Sequence, residues 1–252
     1  MSSLGKEIRL SRIFNRVSGN ALIIALDHPI AHGPIREIMD IKSVLNNVTK
    51  EKPEAIIVHK GIAAQLFHQN SSEISLIIKI SSFSPFHPDN DVWLTNVEEA
   101  VRLGADAVSM GIHVGGKNQP ELLRNLGLAS DNCQKYGMPL VVHAYPAKDL
   151  EDKENSIEHI IYAVRTAAEL GADLVKTTYT GSEETFKRVV DACPVPVGIA
   201  GGTKKGTDEE LFEIISGAIK AGARSAVIGR QVWGRENIST IMQFIQKIIH
   251  QK

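Results

Sequence analysis

A lysine directly after an apolar run is the residue of this sequence with the clearest chemical meaning. Lys176 follows Ala172–Val175 and precedes the small polar residues Thr177 and Thr178. The ends of buried strands are where α/β enzymes place reactive groups. Burial disfavours an ammonium ion, so a lysine held there loses its proton more readily than a surface lysine. The free amine can attack a carbonyl carbon, and the sequence therefore predicts Schiff-base chemistry at Lys176.

Polar side chains also collect at the ends of six other apolar runs. These groups are Asp27-His28, His59-Lys60-Gly61, Lys79, His143-Ala144-Tyr145-Pro146, Gly201-Gly202-Thr203-Lys204 and Gly229-Arg230. Asp27 can orient a substrate hydroxyl or exchange a proton during carbon–carbon cleavage, or it can cap a helix or pair with a lysine. Tyr145 has a phenol with an ordinary pKa of about 10, which suits a general acid beside an amine. A packed tyrosine with its hydroxyl on the backbone fits the sequence equally well.

Two glycine clusters, after the last two apolar runs, indicate a phosphate site. Glycine lets backbone N–H groups approach phosphate oxygens, and a helix N-terminus adds a favourable dipole. One Gly-Gly pair alone is typical of a plain turn, but the loops after the seventh and eighth strands of α/β barrels recurrently bind phosphate. A nearby arginine adds a charge-assisted pair. The residues predicted to bind substrate or phosphate are Gly201, Gly202, Gly229, Arg230, His28 and His143.

Several other residues offer alternative chemistry. Three histidines raise the question of a metal site, but their spacing matches no metal-binding motif, so no metal is predicted. The three are His28, His59 and His143. Lys60 and Lys79 are rivals of Lys176 for imine formation. Either of them can instead lower the pKa of Lys176 by repulsion between like charges.

Eight short apolar runs are the candidate strands that must position these residues. They are Ala21–Leu26, Ala55–Val58, Leu76–Ile80, Ala105–Ser109, Leu140–His143, Ala172–Val175, Val195–Ile199 and Ser225–Ile228. Continuous rather than alternating hydrophobicity is typical of parallel strands buried on both faces. Segments of helical periodicity separate them, as at 157–168, 208–221 and 238–249. Gly104, Gly171 and Gly222 each stand between a predicted helix and the next predicted strand, where glycine can end the helix. The pattern predicts an α/β fold, a (β/α)8 TIM barrel forming a single domain over residues 1–252. A doubly wound sheet is the competitor, and its Gly-x-Gly-x-x-Gly motif is missing.

Composition restricts the class of protein. The chain has 252 residues and a formal net charge of −1, which gives no electrostatic reason for binding nucleic acid or an anionic membrane. Its two cysteines, Cys133 and Cys193, lie far apart, as suits a reducing cytosol. The first ten residues lack the apolar region of a signal peptide, and no apolar run approaches the roughly 18 residues of a membrane span. A cytoplasmic protein is expected.

Three motifs resemble the archaeal-type class I aldolases of the DeoC/FbaB family. They are Lys-Thr-Thr-Tyr-Thr-Gly at 176–181, Val-Gly-Ile-Ala-Gly-Gly-Thr-Lys at 197–204 and Ile-Gly-Arg-Gln-Val-Trp at 228–233. The resemblance runs from Leu26-Asp-His28 to Trp233. This family contains fructose-bisphosphate aldolases and 2-amino-3,7-dideoxy-D-threo-hept-6-ulosonate (ADH) synthases. The segments 58–62 and 88–92 are more similar to the ADH synthase branch.

The resemblance implies a role for each matching residue. Lys176 falls on the Schiff-base lysine, Tyr145 on the proton-transferring tyrosine and Asp27 on the acid near the imine. The glycine clusters and Arg230 fall on the phosphate loops. The resemblance further implies a (β/α)8 barrel, a phosphorylated sugar substrate, no metal or organic cofactor, and a homo-oligomer that is often a decamer.

The reaction implied is a class I aldolase or transaldolase reaction on a phosphorylated ketose. In the ADH synthase form, a ketose fragment passes to L-aspartate semialdehyde, a step toward aromatic amino acids. The alternatives are a fructose-bisphosphate aldolase, a thiolase-like relative using the same lysine, and a non-catalytic barrel that binds sugar phosphates. The chain departs from the family pattern at Pro29, at Ala147-Lys148 and at Gln231, where the family usually has glycine, Arg-Gly and asparagine.

Overall fold

Eight parallel strands close into a barrel and confirm the predicted (β/α)8 fold. The computed structural model describes residues 3–67, 73–147, 150, 156–202 and 206–251. The strands are β1 (Ala21–Ala25), β2 (Ala55–Val58), β3 (Ser75–Lys79), β4 (Ser81–Ser84), β5 (His87–Trp93), β6 (Ala107–Val114), β7 (Leu140–Pro146), β8 (Leu174–Thr178), β9 (Val197–Ala200) and β10 (Ser225–Ile228). Around the barrel the order is β1-β10-β9-β8-β7-β6-β3-β2, while β4 and β5 form a separate antiparallel pair.

Helices follow the barrel strands and cover their outer face. They are α1 (Leu4–Ile13), α2 (His28–His32), α3 (Ile41–Lys50), α4 (Lys60–Leu66), α5 (Val97–Arg102), α6 (Gln119–Tyr136), α7 (Ser156–Glu169), α8 (Glu183–Ala192), α9 (Asp208–Lys220), α10 (Arg230–Trp233) and α11 (Ile238–His250). A short 3-10 helix spans Arg36–Ile38. None of the described helices is long and apolar enough to cross a membrane.

All eight predicted strands occur, and the helix-ending glycines have the expected conformation. Gly104, Gly171 and Gly222 lie between a helix and the following barrel strand with φ of 78°, 93° and 102°. That left-handed region is strained for other residues and closes these helices. The predicted strand ends are less accurate, because several strands continue past the apolar run. For example, β6 runs to Val114 and β7 to Pro146.

The barrel interior has an apolar lower part and a polar upper end. Small and branched side chains fill the lower part, including Ile23, Ile57, Ile77, Val141 and Leu174. Side chains alternate between the two faces of a strand, so residues two positions further along point inward as well. Those positions hold the polar residues: Asp27 beyond β1, His59 beyond β2, Lys79 in β3, His143 in β7 and Lys176 in β8. Because every second residue of a strand points inward, these polar side chains all lie at the carboxyl end of the barrel interior, above the apolar ones.

Helix α1 closes the opposite end of the barrel. Its N-cap residue Ser3 accepts a hydrogen bond from the backbone N–H of Lys6, which satisfies one of the free donors at the helix start. Ile13, at its other end, is fully buried against the interior residues, with Phe14 packed beside it. Helix α1 thus covers the end of the barrel interior opposite the carboxyl ends of the strands.

The first and last strands of the barrel are joined by pairing and by one side chain. Residues 21–24 of β1 pair in parallel with residues 225–228 of β10. The indole of Trp233, in α10, donates a hydrogen bond of 3.0 Å to the carbonyl oxygen of Ala25. The edge of its ring also contacts the imidazole of His28. This pairing places β1, near the start of the chain, beside β10, near its end.

The β4–β5 hairpin was not predicted from the sequence. It follows β3 directly, with Ser81 opposite Trp93 and Ser84 opposite His87. The loop after the third barrel strand therefore folds back over the barrel mouth before α5 begins.

Candidate active site

A cavity of about 270 Å³ opens at the carboxyl ends of the strands and collects every predicted site residue. The predicted residues that line it are Asp27, His28, His143, Tyr145, Lys176, Gly201, Gly202, Gly229 and Arg230. They come from five different strands or the loops that follow them, separated by up to about two hundred residues in the chain. One concave site with several converging ionisable groups is the arrangement expected of an enzyme.

Lys176 lies inside β8 rather than after it. The strand continues to Thr178, so the lysine is the third of its five residues and is held by pairing on both sides, opposite His143 and Gly198. The residue is 8% exposed. Burial, reinforced by the charges of Lys79 and Arg230 and opposed by Asp27, lowers its pKa from 10.5 to about 8. Roughly a tenth of the molecules then carry the free amine at pH 7, about 300-fold more than for an ordinary lysine.

Asp27 is an ionised carboxylate close to this amine. Burial favours its neutral form, but the electrostatic interactions of its carboxylate with His28, Lys176 and Lys79 outweigh burial and lower its pKa below the ordinary 3.8. Its Oδ1 lies 3.6 Å from Nδ1 of His28. His28 itself has its pKa lowered to about 4, mainly by burial, so it is neutral at pH 7. The pair therefore offers one negative charge and one neutral imidazole.

Tyr145 and His143, two inward-facing residues of β7, also line the cavity beside Lys176. Burial raises the pKa of Tyr145, and the nearby carboxylate of Asp27 raises it further, so the phenol keeps its proton at neutral pH. A neutral phenol can donate that proton. Burial and the charges of Lys176 and Lys79 lower the pKa of His143 well below 6.5. Its Nε2 is buried, and none of the described residues forms a hydrogen bond with it. This atom is a free polar group beside Lys176, not at the glycine loops.

The glycine loops form the other side of the cavity together with Arg230. A Cβ at Gly229 would collide with the carbonyl oxygen of Ala25 and the ring of His28, so only glycine fits there. Gly202 has a φ of 66° in the left-handed region. Arg230 begins α10 and is partly buried, and its Nε has no hydrogen-bond partner among the residues that the structure describes. A guanidinium with a free N–H next to exposed backbone is suited to an anionic oxygen.

The residues that line the cavity do not include Lys60, Lys79 or His59. Lys60 is exposed on α4, and its ammonium lies 3.1 Å from Glu99. Lys79 is inside the barrel below the cavity wall and is 5% exposed. The ring nitrogens of His59 each lie 3.2 Å from a backbone carbonyl oxygen, those of Asp27 and Lys79. His59 therefore links two strand ends. No group of metal-binding side chains occurs within the described part of the chain.

Among the lining residues that were not predicted, two carry aromatic rings, His32 and Phe83. His32 lies one helical turn after His28 on α2, and Phe83 is on β4 of the unpredicted hairpin. Their rings contact each other edge to face at 5.5 Å between centroids. Phe83 also contacts His113, whose ring stacks on Tyr145 at 6.1 Å. The four-residue spacing of the histidines was a usable signal, whereas Phe83 had none.

The departures from the family pattern occupy different places. Pro29 is exposed in the first turn of α2, and Ala147 is buried just after β7. Gln231 is buried in α10, where its side-chain oxygen accepts a hydrogen bond of 2.9 Å from Arg235. Lys148 and Lys204 lie outside the described residues.

Comparison with known proteins gives a consistent result. The model of the DeoC/LacD family of aldolases matches residues 21–235. The chain is 36% identical to a 2-amino-3,7-dideoxy-D-threo-hept-6-ulosonate synthase of Halobacterium salinarum, over 99% of this chain and 93% of that protein. It is 31% identical to an archaeal fructose 1,6-bisphosphate aldolase of known structure, with a TM-score of 0.89 over 98% of this chain and 100% of the other.

A second solved structure bears on the reactive lysine. It is an archaeal fructose-1,6-bisphosphate aldolase whose catalytic lysine is covalently bound to the carbinolamine intermediate of its substrate. The present chain is 30% identical to it, with a TM-score of 0.89 over 98% of this chain and 99% of the other.

Proposed function

Because this chain belongs to the DeoC/LacD family of aldolases, we propose that Lys176 is its Schiff-base lysine and that it acts on a phosphorylated ketose. The enzyme is a class I aldolase most like ADH synthase. The proposed reaction moves a ketose fragment onto L-aspartate semialdehyde. The observation that carries the proposal is a buried lysine with a pKa of about 8, set in one cavity with an ionised carboxylate and a neutral phenol.

The proposed chemistry begins with the free amine of Lys176. The amine attacks the ketone carbon, and a proton supplied to the departing hydroxyl releases water and leaves an iminium ion. Cleavage of the adjacent carbon–carbon bond sends its electron pair into the iminium and gives an enamine and an aldehyde. The enamine then attacks the acceptor aldehyde, and water releases the product and regenerates the lysine. Each half of the reaction needs one proton donor and one acceptor.

Tyr145 and Asp27 supply these proton transfers in our proposal. The phenol of Tyr145 is protonated at neutral pH and can donate to the departing hydroxyl. Asp27 is ionised, so it can accept the proton of the substrate hydroxyl whose carbon–carbon bond breaks. Its charge also stabilises the positive iminium more than the neutral ketone, which is the differential stabilisation that catalysis requires.

The opposite side of the cavity holds the phosphate. Arg230 supplies a positive charge and an Nε–H that has no partner in the described part of the chain, and the glycines at 201, 202 and 229 leave backbone close to the ligand. We therefore propose that the phosphate binds on the side of β9 and β10 and that the reacting ketone lies near β8.

Fructose-bisphosphate cleavage is the second candidate, favoured by the 31% identity to an archaeal aldolase of that activity. That substrate carries a phosphate at each end. Of the described residues lining the cavity, Arg230 is the one guanidinium. The 36% identity to an ADH synthase, over 99% of this chain, supports the transfer reaction as the first candidate.

Dependence on an acceptor distinguishes the two reactions. With fructose 1,6-bisphosphate as donor, we expect product formation only when L-aspartate semialdehyde is added, because the enamine needs an acceptor to complete the turnover. The measurement is product analysis by mass spectrometry with and without the semialdehyde. Release of glyceraldehyde 3-phosphate at the same rate without the semialdehyde would establish the cleavage reaction instead.

Replacing Arg230 by methionine tests whether its guanidinium binds the phosphate of the substrate. We expect the KM for the phosphorylated ketose to rise about 10- to 100-fold, since a charge-assisted hydrogen bond contributes about 1.5–3 kcal/mol, while kcat changes less. Steady-state kinetics with and without inorganic phosphate as a competitor measure both effects. Arg102→Met is the matched control, because Arg102 lies on the surface beside Glu98. An unchanged KM in Arg230→Met would place the phosphate elsewhere.

A further inference from the structure

A second lysine lies inside the barrel and has no part in the reaction described above. Lys79 ends β3, two residues after the interior residue Ile77, and is 5% exposed. Its ammonium nitrogen lies 3.4 Å from the hydroxyl of Ser81. Placing an ammonium ion in a barrel interior costs free energy unless charged or polar groups compensate it. Its presence calls for an explanation beyond packing.

The β4–β5 hairpin surrounds this ammonium with polar groups. The hydroxyl of Ser81, in β4, accepts a hydrogen bond of 3.0 Å from the backbone N–H of Gly111. Asp91, in β5, is 5% exposed, and its carboxylate fills the space where any side chain at position 111 would stand. The ammonium of Lys79 lies 3.4 Å from that same point. Glycine in β6 therefore makes room for a buried carboxylate beside a buried ammonium.

The register of the sheet connects this group to the reactive lysine. Lys79 pairs with Ser109 in β6, Gly111 of the same strand pairs with His143 in β7, and His143 pairs with Lys176 in β8. His143 thus stands between the two lysines on the inner face of the barrel. On the other side, His59 contacts the backbone carbonyls of both Lys79 and Asp27. Lys79 is therefore connected through the sheet to His143 and through the ring of His59 to Asp27, the two groups that flank the imine.

We propose that Lys79 is a positioning residue for the imine chemistry, a fixed cation that the β4–β5 hairpin holds inside the barrel against Asp27 and Lys176. This inference rests on the proposed function of Lys176. The ammonium of Lys79 repels a proton from Lys176 and from His143, and it favours the carboxylate form of Asp27. All three effects act in the same direction. They keep a nucleophile, a neutral imidazole and a base available at neutral pH.

Other charged and titratable groups also face Lys176, and they remain unchanged when Lys79 is altered. They are Asp27 beyond β1, His28 in α2, His143 and Tyr145 in β7, and Arg230 in α10. Removal of the Lys79 charge therefore subtracts one repulsion from the ammonium form of Lys176. The pH at which Lys176 loses its proton must rise.

The test measures the ionisation of Lys176 directly, without substrate. Trace labelling of lysines with acetic anhydride at a series of pH values, followed by peptide mass spectrometry, gives the labelling midpoint of the peptide that contains Lys176. The proteins compared are the wild type, Lys79→Met, Lys79→Gln and the control Lys60→Met. Lys60 is exposed and pairs with Glu99, so its loss leaves the barrel interior intact. The glutamine variant keeps a polar group at position 79 in case methionine disturbs folding.

We expect a wild-type midpoint near 8, unchanged in Lys60→Met and raised by roughly half a pH unit or more in both Lys79 variants. The acid limb of kcat/KM should move by the same amount, with activity recovering at higher pH. A purely structural role would lower activity at every pH and leave the midpoint in place, and that result would overturn the inference. Failure of the wild type to form an adduct with a ketose phosphate would refute the proposed function instead, while the labelling midpoints would still decide the role of Lys79.

Discussion

Replacing Lys176 by methionine is expected to lower turnover by at least about 10⁴-fold, because the variant has no amine to form the iminium ion. Methionine is close to lysine in length and suits the buried position in β8, so the barrel should stay folded. Borohydride reduction in the presence of a ketose phosphate gives a second readout. In the wild type, we expect a substrate-dependent mass increase on the peptide that contains Lys176, and in the variant we expect none on any peptide.

Lys60→Met serves as the control for this experiment, since it removes an exposed lysine near the mouth of the barrel. Its turnover and its adduct should match those of the wild type. If Lys176→Met instead kept its activity and a chelator abolished it, the enzyme would use a metal-dependent mechanism and the imine proposal would be wrong. An adduct on Lys79 in the variant would identify that lysine as the nucleophile.

Replacing Tyr145 by phenylalanine is expected to lower kcat by about 10²- to 10⁴-fold while leaving adduct formation possible. The hydroxyl is the only group removed, so the stacking of the ring against His113 is kept. Proton transfer slows because Asp27 is ionised and His28 is neutral at pH 7, so neither replaces the phenol as a proton donor. Borohydride trapping with long incubation separates the two steps, since a variant blocked in proton transfer still accumulates a trapped species on Lys176.

Tyr162→Phe is the matched control, because Tyr162 is exposed on α7 and its hydroxyl accepts a hydrogen bond from Gln119. That variant should behave as the wild type in both assays. Wild-type turnover in Tyr145→Phe would falsify the assignment of Tyr145 as proton donor. The next candidate would be His143, whose Nε2 has no partner in the cavity wall.

Much of the fold was predictable because buried parallel strands leave a strong sequence signal. Ala55–Val58 and Ser225–Ile228 were predicted to the residue, since polar residues or glycine end those apolar runs on both sides. Strand β8 was predicted two residues too early at its start and three residues too early at its end. Its last three residues, from Lys176 to Thr178, are polar but still belong to the strand, because the inward face at that height forms the cavity.

The site residues were predictable for the same reason, whereas their surroundings were not. Asp27 and Lys176 directly follow apolar runs, so their place at the barrel mouth could be read from the chain. The position of Asp91 depends on the hairpin and on the absence of a side chain at Gly111, which lies twenty residues away. No local pattern encodes such a contact. Phe83 was missed similarly, because a strand of serines and one phenylalanine has little hydrophobic signal.

The closure between β1 and β10 determines when the site comes into existence during folding. Asp27 and His28 reach Gly229 and Arg230 only through a pairing that spans about two hundred residues of chain, sealed by the indole of Trp233. Contacts so distant in sequence form late, because closing a long loop costs entropy before the pairing returns it. A partly folded chain can hold Lys176 in its strand yet lack both the acid and the guanidinium. Turnover by the proposed mechanism therefore requires the closed barrel, because Lys176, Asp27 and Arg230 line one cavity only when β1 pairs with β10.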